Sequence, residues 1–205
     1  MTCGMTSTPI DLLAPRAALV PIDVQMGFDE PSWGRRNNPR MEANGQRLLA
    51  AFREAGRPIV HVRHDSVQAG STLAPSHPGN ALRPGFEPRD GEPLVSKSVN
   101  CAFIGTDLEL RLRRLGIDTV VLFGISTDMC VSTTARVASN LGFRTVIVGD
   151  ACACFDLRDT EGATVSAEDV HRAHLATLHA EFGTVAATEA VVAAVGRASR
   201  LGMTP

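Results

Sequence analysis

TVVLFGISTDMCVSTTARVASNLGF, residues 119–143, reads as strand, tight turn and helix. TVVLF is β-branched, aromatic and nearly free of polarity, as a strand covered on both faces must be, and Val131, Ala135 and Ala138 then recur at helical spacing. Gly124 supplies freedom for an unusual turn, Thr127 or Asp128 serves as N-cap, and Cys130 falls in the first helical turn. Free N–H groups and the helix dipole favour negative charge there. The spacing therefore predicts a Cys130 thiolate stabilised below the ordinary thiol range, beside donors able to hold an oxyanion. A lone cysteine is more often a small buried hydrophobe, but the carboxyl end of a parallel strand is where ligands sit in open α/β sheets, which favours a nucleophile.

Outward from this unit, further apolar runs alternate with helical patterns. AALVPID (17–23), RPIVHVR (57–63), PLVSK (93–97), RTVIVGDA (144–151) and GTVAAT (183–188) read as strands, with helices over 40–55, 106–116, 167–182 and 188–198. Such alternation predicts an α/β fold: a three-layer α/β/α Rossmann-like domain with a six-stranded, mostly parallel sheet. It occupies residues 17–196, with an N-terminal arm over 1–16 carrying Pro9 and Pro15 and a C-terminal tail over 197–205. Residues 64–93 form a long irregular excursion, of a length that serves a site or an interface in a compact domain.

Composition narrows the function. With 205 residues, 44% hydrophobic, the chain can bury a full core. A net charge of -2 and 4% aromatics argue against nucleic acid or an anionic membrane surface and favour a small-molecule substrate. MTCGMTSTPIDLL has neither the basic nor the apolar segment of a signal peptide, and five cysteines without framework spacing suit a reducing compartment, so a cytoplasmic protein is expected.

No GxGxxG follows the first strand and no GxxxxGK[ST] occurs, which disfavours a nucleotide cradle. His61, His64 and His77 with Asp65 raise a metal site, but they do not converge on the strand pattern; His171, His174 and His179 lack the i, i+4 spacing of a helical zinc pair. No metal and no cofactor is expected. Cys152 and Cys154 form a CxC read as core packing.

Right-handed crossovers bring strand carboxyl ends to one edge, and Asp23, Lys97 and Cys130 all sit at such ends. An acid, a cation and a thiol in one crevice are the parts of a covalent hydrolase. Phe28, Trp33, His64, Asn100 and Phe103 lie close in sequence to these ends and are expected to bind substrate.

ALVPIDVQMGF (18–28), KSVNCAFIGTDLE (97–109), GISTDMCVSTTARVASNLGF (124–143) and VGDACA (148–153) together resemble the isochorismatase-like cysteine hydrolases over residues 16–190. By that resemblance Asp23, Lys97 and Cys130 match the family's triad, a non-prolyl cis peptide falls between Ile125 and Ser126, and the N–H groups of Ser126 and Cys130 form the oxyanion hole. The resemblance implies hydrolysis of an amide, ureide or carbamoyl C–N bond through a thioester on Cys130, in a dimer or larger homo-oligomer. HVRHDS lacks the family's nicotinamidase metal pattern. Vinyl ether hydrolysis with Cys130 incidental, or a non-catalytic binding protein on the same fold, are the rival expectations.

Overall fold

In a computed structural model the described residues are 16–200, with side chains through Arg197. A six-stranded sheet has the order β3-β2-β1-β4-β5-β8, built from β1 (Ala17–Ile22), β2 (His61–His64), β3 (Leu94–Lys97), β4 (Thr119–Ile125), β5 (Arg144–Ala153) and β8 (Thr184–Ala186), every neighbouring pair parallel. Helices α1 (Met41–Glu54), α2 (Leu108–Arg114), α3 (Ser132–Asn140) and α4 (Ala167–Thr177) lie in the connections between strands, and α5 (Thr188–Arg200) follows the last one. This is the three-layer α/β/α arrangement.

The central apolar runs become strands covered on both faces, all of β1 and all of β4 being buried, while the outer β3 alternates exposed and buried. Leu48, Leu49 and Phe52 of α1 and Leu108 and Leu112 of α2 bury the stripes that their spacing announces. Pro21 sits in a central strand and has no N–H to give. The β1–β2 ladder is interrupted there, while Leu19 N donates to Pro58 O at 3.0 Å and Asp23 N to Val62 O at 2.9 Å on either side.

Three features depart from the sequence reading. β6 (Leu157–Arg158) and β7 (Thr164–Val165) make a small antiparallel hairpin in the loop after β5. Cys130 lies in a turn of π-helix over Thr127–Val131, ahead of α3. α5 continues to Arg200, across the expected boundary at 196, whereas the N-terminal arm lies almost wholly outside the described residues.

The strand order places the site. β1, β2 and β3 step one way across the sheet and β4 returns to the other side of β1, so the chain reverses direction between β1 and β4. A crevice opens at such a switch point, outside the carboxyl ends of the strands.

Candidate active site

Asp23 leaves β1 with φ at +52° and is buried completely; Lys97 ends β3 and is 3% exposed; Cys130 follows β4 and is also buried. Lys97 Nζ donates to Asp23 Oδ2 at 2.6 Å and to Cys130 Sγ at 3.4 Å, and stands 3.0 Å from His64 Nδ1 at the end of β2. Four strand ends thus converge on one ammonium. The Cys130 thiol also faces Asn100 Oδ1 at 3.8 Å. Asp23 Oδ1 is buried with no hydrogen-bond partner among the described residues, and an Asp23 oxygen, a His64 ring nitrogen and Cys130 Sγ lie within 4.8 Å of one another.

That trio has the donor set of a transition-metal site, but the Lys97 ammonium stands among the three and would repel a second cation. Three of the other histidines go elsewhere: His61 Nε2 pairs with Glu92 Oε2 at 2.8 Å, His77 Nδ1 accepts from Gly79 N at 2.9 Å, and His171 Nδ1 meets Thr127 Oγ1 at 2.8 Å.

Burial raises the Asp23 carboxyl above the usual range, opposed by Lys97. Burial, then the Asp23 charge, push the Cys130 thiol up as well. The upward shift of Cys130 runs against the thiolate expected from a helix N-terminus: desolvation outweighs the helix dipole there. His64 is held below the usual imidazole range by burial and by Lys97.

The turn that carries Cys130 depends on Gly124, at φ +135°, where a Cβ would fall 1.9 Å from the Ile22 carbonyl oxygen. The following peptide, Ile125–Ser126, is cis. Ser126 and Cys130 border a cavity of about 160 Å³ with Phe28, Trp33, His64 and Asn100. Trp33 is fixed by its indole N–H donating to Thr72 Oγ1 at 3.1 Å and packs on Phe28 and Phe155 at ring distances of 4.8 and 5.4 Å.

Phe103 is a correction. It does not border the cavity but stacks on Phe143 at 5.9 Å, where Arg113 also caps the ring, because Ala102 N is tied to Thr134 Oγ1 of α3 and turns the chain that way. Sequence reasoning also passed over the outer wall, Ser66, Gln68, Ser71 and Leu73. The excursion's length signals a role for that wall; which side chains face inward depends on long-range hydrogen bonds. Gln25 and Asn80, which anchor the excursion to β2, were likewise unrecognised.

A family model for the isochorismatase domain matches residues 17–190. An isochorismatase family protein from Bacillus subtilis, YrdC, whose function is uncharacterized, is 40% identical, over 86% of this chain and 95% of its own. The crystal structure of an isochorismatase-family protein from Chromobacterium violaceum superposes with a TM-score of 0.89 at 42% identity, covering 93% of this chain and 98% of that one. The ureidoacrylate amidohydrolase RutB of Methylobacterium radiotolerans is 27% identical, over 94% of this chain and 84% of its own. Family model, relatives and fold agree, and the chain belongs to the isochorismatase family of hydrolases.

Proposed function

We propose that the protein hydrolyses an amide, ureide or carbamoyl C–N bond of a small molecule through a thioester on Cys130. The observation that carries the reading is the Lys97 ammonium, in contact with both Asp23 and the Cys130 sulfur in a buried pocket. Asp23, with Oδ1 unpartnered, takes the thiol proton as Sγ attacks the carbonyl carbon. The C=O electron pair moves onto oxygen, held by the backbone N–H groups of Ser126 and Cys130. On collapse the C–N bond breaks and the nitrogen leaves as ammonia or an amine, with the proton from Asp23. Water then gives its proton to Asp23 and attacks the thioester, releasing the acid and the thiol. Lys97 stays in contact with both Asp23 and the sulfur, steadying them as charge moves between them.

The buried thiol suits this order of events: the proton leaves sulfur only when substrate arrives to use the electron pair. The amidohydrolase among the relatives supports the C–N class. A cytoplasmic location belongs to the reading, supported by Cys101, Cys130, Cys152 and Cys154 being free thiols. So does a dimer or tetramer, which would cover the exposed Val67, Val99 and Ile104. Among the described residues no helix is long and apolar enough to cross a membrane.

A panel of primary amides, ureides and carbamoyl compounds, followed by ammonia release and intact mass, tests this. Wild type is expected to turn over at least one and to show an acyl adduct on Cys130, with Cys130→Ala at background. Ammonia release surviving in Cys130→Ala would refute the thioester route.

A further inference from the structure

His64 is held so that one ring atom is left over. Its backbone N–H donates to Gln25 Oε1 at 2.9 Å, and its carbonyl accepts from Gln25 Nε2 at 3.0 Å and Asn80 Nδ2 at 3.1 Å. The ring Nδ1 is 3.0 Å from Lys97 Nζ. An ammonium offers three donors and no acceptor, so Nδ1 must be accepting, and a neutral imidazole then carries its proton on Nε2. Nε2–H has no partner among the described residues, and His64 borders the cavity beside Cys130. Of the nearby carboxylates, Asp65 is held by Arg63 at 2.8 Å and Asn80 at 2.9 Å, and Asp23 Oδ2 by Lys97; neither carboxylate is hydrogen-bonded to the His64 ring.

The cavity wall is uncharged. Ser66, Gln68 and Ser71 of the excursion also line the cavity, and no lysine, arginine, aspartate or glutamate does. A volume of about 160 Å³ is below the several hundred that drug-sized ligands fill. A carboxylate brought here would leave its hydration shell without meeting a free cation, since Lys97 is already engaged by Asp23.

We propose that His64, fixed by Lys97 as the Nε2–H tautomer, reads the acyl side of the substrate by donating to an oxygen there, so that the site selects small uncharged amides bearing such an acceptor. This rests on Cys130 as the nucleophile, which makes the adjoining cavity the acyl side. His64 is a specificity residue; the proton transfers stay with Asp23.

The test has two arms on the full chain. Nitrogen-15 NMR of histidine-labelled wild type at neutral pH is expected to give the Nε2–H signature for His64; a charged ring or the Nδ1–H form overturns the proposal. In the second arm 3-oxobutanamide and butanamide, which differ in one carbonyl, protect Cys130 from iodoacetamide. Wild type is expected to be protected by the oxo compound at a three- to tenfold lower concentration, the range of one neutral hydrogen bond. His64→Ala is expected to lose the preference, and His64→Asn, which can accept from Lys97 and donate outward, to keep part of it. Equal protection in wild type, or a preference unchanged in His64→Ala, overturns the proposal. Ammonia release is read separately, so protection as expected with no ammonia from any amide would sink the hydrolase reading alone.

Discussion

Lys97→Met removes the partner of a carboxylate that has no access to water. Both side chains of the pair are 0% exposed, Asp23 Oδ2 loses its 2.6 Å contact, and Oδ1 has none to begin with. Leaving one charge of a buried pair uncompensated costs about 3 to 5 kcal/mol. The carboxyl can escape by binding a proton, and the cost of keeping an ordinary aspartate protonated at pH 7 is about 4 kcal/mol, from roughly three pH units at about 1.36 kcal/mol each. The two routes give the same size of effect. The sign follows from the direction of the shift: Asp23 is already raised by burial in the wild type, and loss of Lys97, the largest influence opposing that, raises it further. A raised carboxyl binds more protons folded than unfolded, so its stabilising effect is complete below about pH 4 and is lost as pH rises toward the folded value. Urea unfolding of wild type and Lys97→Met across pH 4 to 8 is therefore expected to show a difference of about 3 kcal/mol near pH 7 that shrinks toward pH 4. Lys97→Met combined with Asp23→Asn is expected to recover most of the loss, since no buried charge remains. A loss under about 1 kcal/mol at pH 7, or an equal loss at both ends of the range, would refute the reasoning.

Other substitutions separate the site from its supports. Because burial and the Asp23 charge raise the Cys130 thiol, iodoacetamide should label it slowly at pH 7 and Asp23→Asn should speed the labelling; a slower Asp23→Asn would contradict the electrostatics. Gly124→Ala is expected to cost about 3 kcal/mol or more, or to abolish soluble expression, because its Cβ meets the Ile22 carbonyl; a wild-type melting temperature would mean that the turn is not as described. Trp33→Leu should weaken substrate affinity by opening the cavity wall, read as a raised KM. Phe103→Leu should leave KM alone and lower stability by about 1 kcal/mol through its ring stack on Phe143.

The central strands were legible because β1 and β4 are unbroken apolar runs, and a sheet with both faces covered imposes that pattern without reference to distant residues. Once the strands alternate with helices, handedness alone brings their carboxyl ends to one edge, which is why Asp23, Lys97 and Cys130 stood out from residue type and position. What could not be read depends on burial and on which way short segments turn. The helix dipole at Cys130 is a local property and was anticipated; the desolvation that overrides it comes from the packing of several strands and leaves no mark in GISTDMC. Phe103 and Asn100 are three residues apart in one short linker, yet a bond from Ala102 N to Thr134 Oγ1 sends Phe103 to Phe143 while Asn100 stays at the sulfur. His64 is the sharper case. Its residue type suggested only a pocket histidine, but its tautomer is dictated by Lys97 from the neighbouring strand, and its place by Gln25 and Asn80 from two separate loops. A chemical role set by contacts from three other segments appears only when the chain is folded, so it is the pocket wall, rather than the triad, whose specificity has to be sought in the structure.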